Sequence, residues 1–92
     1  MKKIPKRLFG NILGKRIRII DSTDEALVGR EGIITYETRN MLEIEENNGK
    51  RILVPKGNCV FEIYYDEKTK IIVRGELLVN RLRKLIKLGR RR

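Results

Sequence analysis

The sequence predicts a mainly β protein: one small antiparallel β-barrel with a basic helical extension at each end. Three observations point there. Short β-branched runs alternate with polar residues across positions 15–74, and turn-forming residues join them with no helix-length segment between. Outside that stretch the apolar spacing changes from two residues to that of a helical stripe. Charge is sorted the same way. Residues 1–18 hold seven Lys or Arg and no carboxylate, residues 81–92 hold seven more and none, and all twelve acids fall within 21–76 beside eight bases. A net charge of +10 segregated like this makes a strong local field for a polyanion, and nucleic acid is the commonest such partner. At 92 residues the chain fits a single domain with one modest core, divided as 1–14, 15–76 and 77–92.

Residues 1–14 form the first extension. Ile4, Leu8 and Ile12 stand four apart, with Phe9 and Leu13 beside them, which makes one helical stripe. Pro5 suits the first turn and Gly14 the position just past the end. Lys2, Lys3, Lys6 and Arg7 lie near the start, where cations oppose the helix macrodipole, so local stability does not account for them. A phosphate contact accounts for them, and a solvated tail is the alternative for Lys2 and Lys3.

The barrel follows over residues 15–76. Ile17 and Ile19 alternate with Arg16 and Arg18, giving one apolar and one basic face. Residues 21–25 read as a loop. Ile33-Ile34-Thr35 forms the next strand, with Gly29 and Gly32 placed where a strand must bend sharply to close a barrel. Leu42 and Ile44 alternate with Glu43 and Glu45. Asn47-Asn48-Gly49 is a hairpin signal, because Asn and Gly tolerate the positive φ of a tight turn. Ile52 and Val54 continue a strand that stops near Pro55. Residues 60–65 form another strand, 66–69 a turn, and Ile71-Ile72-Val73 the last strand. From residue 77 helical spacing returns, with Leu78, Leu82 and Leu85 on one stripe and Arg81, Arg83, Lys84 and Lys87 over much of the remaining surface. Those bases sit toward the helix C-terminus, where the dipole favours them. Arg90, Arg91 and Arg92 lie beyond Gly89, as an RNA-reaching or a solubilising tail.

The residue inventory argues against catalysis by this chain. There is no His, which removes the usual near-neutral acid or base, and Cys59 is alone, so it has neither a disulfide nor a catalytic or zinc-binding partner. Cys59 reads as a small buried apolar group. No P-loop or dinucleotide-binding glycine motif occurs. The carboxylate groups at 24–25, 43–46 and 66–67 fall in turns or on an outer strand face, where solvated charge is ordinary. No run approaches the roughly 18 apolar residues of a membrane span, so a cytoplasmic protein with no membrane partner is expected. Binding is the remaining class.

Residues 29–44 read G-x-x-G-x-I-x-x-E-T-x-N-x-L-x-I, and Val54-Pro55-Lys56-Gly57 runs on to Val60-Phe61. Together with Leu13-Gly14-Lys15, Ser22 and Leu27-Val28-Gly29, these blocks resemble the archaeal ribonuclease P protein component 1 family over roughly residues 13–75. Where that family has a Gly-Arg-Pro-Glu-like helix start, this chain has Val79-Asn80-Arg81-Leu82-Arg83. The resemblance implies an Sm-like barrel with terminal helical extensions, serving as a protein subunit of ribonuclease P. In that enzyme an RNA subunit, with Mg²⁺ at its own active site, removes the 5′ leader of precursor tRNA. It also implies ribonuclease P RNA, a zinc-ribbon protein subunit and other holoenzyme proteins as partners, precursor tRNA as an indirect one, and no cofactor or metal on this chain.

Among the signature residues, Gly29 and Gly32 serve backbone curvature, and Phe61 lies in a core strand. Glu37, Thr38 and Asn40 flank a turn, whose internal bonding is favoured over a base contact. The RNA-binding candidates are Lys6, Arg7, Lys15, Arg16, Arg18, the loop residue Lys56 after Pro55, and the C-terminal bases Arg81, Arg83, Lys84, Lys87 and 90–92. Tyr36, Tyr64 and Tyr65 suit core or partner packing ahead of base stacking, because folded RNA is gripped chiefly through phosphates and 2′-hydroxyls. Two rivals share the composition: a ribosomal protein with a small barrel, and a protein-interaction barrel whose charge serves solubility.

Overall fold

The computed structural model describes residues 11–79. Six strands form one antiparallel sheet: β1 (Arg16–Ser22), β2 (Glu31–Glu37), β3 (Met41–Glu45), β4 (Arg51–Pro55), β5 (Cys59–Tyr64) and β6 (Lys70–Arg74). Their spatial order is β4-β3-β2-β1-β5-β6. Ile17 and Ile19 of β1, Ile34 of β2, Leu42 and Ile44 of β3, Val54 of β4, Phe61 and Ile63 of β5 and Val73 of β6 all enter one buried cluster. A flat sheet with no covering layer cannot bring the inner faces of its two outermost strands into a single core, so the sheet curls into a small Sm-like barrel. The curl is completed by 3₁₀ turns. Lys56–Asn58, directly after β4, packs against Gly75–Leu77, directly after β6, so closely that a Cβ on Gly75 would overlap the Lys56 carbonyl.

The strands follow the expected alternation, with two informative departures. Residues 21–25 do not form one loop, because β1 runs on through Asp21 and Ser22. A bulge makes this possible: Ile19 pairs with Phe61 and Asp21 with Val60, so Ile20 is the extra residue. The loop proper begins at Thr23, and Asp24 Oδ1 caps the Glu25–Leu27 turn by accepting from the Ala26 amide at 3.0 Å. A second bulge, at Thr35, separates the Ile34–Ile44 and Tyr36–Glu43 pairs of β2 and β3. Both bulges bend their strands, as closure requires.

The two signature glycines act differently. Gly29 takes φ +89° and donates its amide to the Ile19 carbonyl at 2.7 Å, fastening the approach to β2 onto β1. Gly32 lies in the interior of β2, where a Cβ would run into the Glu45 carbonyl on β3. The β3–β4 hairpin turns at Gly49 with φ +85°, as the Asn-Asn-Gly signal predicts.

Before β1, Ile12 is buried and Gly14 takes φ +85°, with its amide on the Ile34 carbonyl at 2.7 Å. After β6, Leu78 is buried in the same core. The rest of the two expected helical extensions, residues 1–10 and 80–92, lies outside the described residues. Between them the described chain contains three 3₁₀ turns and no α-helix.

Candidate nucleic-acid interface and its buried anchor

Arg16 and Arg18 project from the outer face of β1 and are exposed, as their alternation with Ile17 and Ile19 requires. Lys15, one residue earlier, is half-buried. Its ammonium donates to the Tyr65 carbonyl at 3.1 Å and sits 4.6 Å from the Tyr65 ring centroid, so much of its charge serves to fasten the β1 start to the β5 end. Lys6, Arg7, Arg81, Arg83, Lys84, Lys87 and residues 90–92 lie outside the described residues.

Lys56 is the correction. The sequence places it in a loop as an RNA ligand, whereas the structure buries it completely, with 0% of its surface exposed. Its ammonium donates to Glu37 Oε2 at 2.8 Å, to the Thr38 carbonyl at 2.7 Å, and to the Arg39 and Leu78 carbonyls at 3.2 Å each. The Lys56 amide donates to the Asn40 carbonyl at 2.8 Å. Thr38 closes the same turn, its amide on the Met41 carbonyl at 3.0 Å and its hydroxyl accepting from the Met41 amide at 3.1 Å.

The block Glu37-Thr38-x-Asn40 and the block Pro55-Lys56-Gly57 are therefore two halves of one anchor. Glu37 supplies the counter-charge, and the turn carbonyls complete the ammonium's coordination. Pro55 ends an edge strand opposite Met41, where a missing N–H is tolerated. Phe61, buried between Ile19 and Val73 on the neighbouring strands, belongs to the core. Burying an ammonium is costly unless it is paired and fully hydrogen-bonded, and this one is. In the sequence, a basic residue between Pro and Gly looks like a surface loop. The signal that was available is the acid of the E-T-x-N block, the partner such a lysine needs.

Two bases that sequence reasoning passed over stand beside Arg16 and Arg18. Lys70 and Arg74 lie on the outer face of β6, in register with Tyr64 and Val60 of β5. Tyr64 is the middle of a cross-strand row, flanked by Arg16 on β1 and Lys70 on β6. Its hydroxyl donates to Glu62 Oε1 at 2.8 Å. That hydrogen bond, with the Lys70 and Arg18 charges behind it, holds the Glu62 carboxyl below the usual glutamate range. The same hydrogen bond pushes the Tyr64 phenol up, against the pull of the two cations. Tyr64 and Tyr65 are thus held by intramolecular contacts, while Tyr36 is exposed on β2.

Cys59 is buried as expected. Its thiol donates to Ser22 Oγ at 3.4 Å, and burial pushes its pKa up, away from a reactive thiolate. Among the described residues no three His, Cys, Asp or Glu side chains gather as a metal site. No described helix is long and apolar enough to cross a membrane.

Fold and surface define a small Sm-like β-barrel protein, and its sequence carries base-rich segments before and after a barrel close to electrical neutrality. The family model for ribonuclease P/MRP subunit p29 matches residues 4–87. Ribonuclease P protein component 1 of Pyrococcus horikoshii is 48% identical over 75 residues, covering 80% of this chain and 57% of that protein. The Staphylothermus marinus protein of the same name is 40% identical over 73 residues, 79% of each chain. The solved structure of Mth11, a homologue of human RNase P protein Rpp29, superposes with a TM-score of 0.60 at 35% identity, covering 75% of this chain and 88% of that one. The chain belongs to the ribonuclease P/MRP p29 family and is a protein subunit of ribonuclease P, the endoribonuclease of tRNA processing. That membership displaces the ribosomal alternative.

Proposed function

We propose that the chain is a non-catalytic, RNA-binding subunit that supports the ribonuclease P RNA, whose own Mg²⁺-dependent active site removes the 5′ leader of precursor tRNA. One observation carries the reading. The described barrel holds eleven bases against twelve acids, whereas residues 1–10 and 80–92 hold eleven bases and no acid. A body that is electrically close to neutral, flanked by charge of one sign, concentrates its field at the flanks, where a phosphate backbone is attracted. Arg16 and Arg18 continue that charge onto the outer face of β1. The lack of any histidine supports assigning the chemistry to the RNA. The family resemblance supports a zinc-ribbon protein subunit and other holoenzyme proteins as further partners, with precursor tRNA met indirectly.

The test is a salt titration of binding to ribonuclease P RNA, followed by pre-tRNA cleavage in a reconstituted enzyme with and without the chain. Each lost phosphate contact lowers the slope of log affinity against log salt by about 0.7–0.9. Deleting residues 89–92 and replacing Arg16 and Arg18 by Gln is expected to lower affinity and slope together. Unchanged slope and affinity in the combined variant would refute the basic flanks as the RNA grip.

A further inference from the structure

The register of the sheet divides the barrel wall into two halves of opposite sign. On the outer face of β1, β5 and β6 the side chains run in three rows. Arg16, Tyr64 and Lys70 form one, and Arg18, Glu62 and Ile72 the next. Val60 and Arg74 form the third beside Asp21, whose strand bulges there. Four bases thus share this face with two strand-borne carboxylates, Glu62 and Asp21. Two of the bases are far more exposed than Glu62. The Glu62 side chain is only 12% exposed, against 59% for Lys70 and 64% for Arg74. The Lys70–Glu62 and Arg74–Glu76 pairs are long, at 3.6 and 3.8 Å, and are too exposed to consume the bases.

The outer face of β2, β3 and β4 has the opposite balance. Glu43 and Glu45 stand beside a single strand base, Arg51, which lies 3.4 Å from Glu45 and 3.9 Å from Glu43, and Glu31 marks the boundary of this half, in register with Arg18 of β1. Tyr36 and Leu53 flank Glu43 in its row.

We propose that the outer face of β1–β5–β6 is a second, rigid RNA-contact surface, on which Lys70 and Arg74 join Arg16 and Arg18 in binding backbone phosphates. The β2–β3–β4 half turns away from the RNA. The inference rests on the RNA-binding reading above and adds a defined side of the barrel to it. Charge complementarity selects the occupant. Arg16 and Arg18 stand about 6.7 Å apart along β1, Lys70 and Arg74 about 13 Å apart along β6, and the two strands about 10 Å apart across β5, which presents an array of cations to a chain of phosphates. The other half offers three carboxylates, which repel the same backbone. Because these side chains stand on paired strands, their positions are set before binding, unlike those of a terminal tail.

Two experiments on the full chain test this. In the first, Lys70→Gln/Arg74→Gln is titrated with salt against ribonuclease P RNA, with Arg51→Gln as the control on the opposite half. The expected result is a slope lowered by about 1.4–1.8 for two lost contacts, with an unchanged melting temperature, and no loss for the control. In the second, single cysteines at Ile72→Cys and Leu53→Cys carry a photoactivated crosslinker, with unsubstituted protein treated in parallel. The two positions are matched in exposure, 63% and 61%, and lie on the opposite edge strands β6 and β4, while the native Cys59 is buried. Crosslinking to RNA is expected from position 72 and not from 53. Equal crosslinking from both, or an unchanged slope in the double variant, overturns the two-sided barrel while salt-sensitive binding by the unsubstituted chain leaves the parent reading standing. Absence of that binding overturns the parent reading, and this one with it.

Discussion

Replacing Lys56 by Met removes the charge at the centre of the barrel's anchor while keeping most of the side chain's volume. The substitution leaves Glu37, whose side chain is 6% exposed, without its ammonium partner at 2.8 Å. It also strips a donor from the Thr38, Arg39 and Leu78 carbonyls. Breaking a buried ion pair by removing one partner costs about 3–5 kcal/mol. A domain of this size has about 5–14 kcal/mol in total. Lys56→Met should therefore consume about a fifth or more of the stability, with each kcal/mol lowering the melting temperature by about 4–8 °C.

Glu37→Gln is the graded companion. The amide oxygen still accepts from Lys56 and the ammonium keeps its carbonyl acceptors, but it loses its counter-charge while staying buried, so the cost falls toward the low end of the same range, about 3 kcal/mol. Urea unfolding followed by circular dichroism measures both variants, and an unchanged m-value confirms that the same transition is observed. The order Lys56→Met worse than Glu37→Gln is the diagnostic result. A Lys56→Met cost below about 1 kcal/mol, the range of an exposed surface pair, would refute the buried anchor and return Lys56 to the solvent-facing role its loop position suggests.

Two further outcomes follow from the geometry. Gly32→Ala forces a Cβ against the Glu45 backbone, whose carbonyl carbon would lie 2.8 Å away; neither strand can yield without breaking the ladder, so a loss of about 1–3 kcal/mol is expected in the same unfolding assay. The Glu62 carboxyl, held low by the Tyr64 hydroxyl, contributes stability that is present above the ordinary glutamate range and lost as pH falls through its lowered folded value. Tyr64→Phe should move that titration up toward the ordinary glutamate value, read from the Glu62 side-chain carboxyl by NMR; an unmoved titration would assign the shift to Lys70 and Arg18 instead.

The barrel was legible in the sequence because its signals are local. Ile17 and Ile19 against Arg16 and Arg18 announce a two-faced strand, and Asn47-Asn48-Gly49 names its own turn. The β1 bulge was not legible, since Ile20 breaks the apolar alternation just before a polar stretch and only pairing with β5 shows that β1 continues to Ser22. Lys56 was misplaced for a related reason. Its burial depends on Glu37, 19 positions away, and on the Leu78 carbonyl, 22 positions away, contacts that no local pattern encodes. Lys70 and Arg74 were passed over because the surface they share with Arg16 and Arg18 is assembled by strand order, with β5 between them. Periodicity says which residues share a face of one strand, whereas topology says which strands share a face of the barrel.

The anchor also bears on how the basic segments are presented. The chain approaches β1 through Gly14, whose amide is bonded to the Ile34 carbonyl in the middle of β2. It leaves the barrel at Leu78, whose carbonyl is tied through Lys56 to the Thr38 carbonyl just past the end of β2. Ile34 and Thr38 are four residue steps apart, at most about 13 Å. The two points from which the base-rich segments continue are thus both fixed to one stretch of β2 and its turn. A buried ammonium stabilises little by itself compared with an apolar core of the same volume, but it is directional, and here it fixes the exit of the segment that carries seven bases. On the proposed RNA-binding reading, Lys56→Met should then weaken binding to ribonuclease P RNA in the salt titration even at temperatures where the barrel remains folded, because fixed exit points would lower the entropy lost on binding.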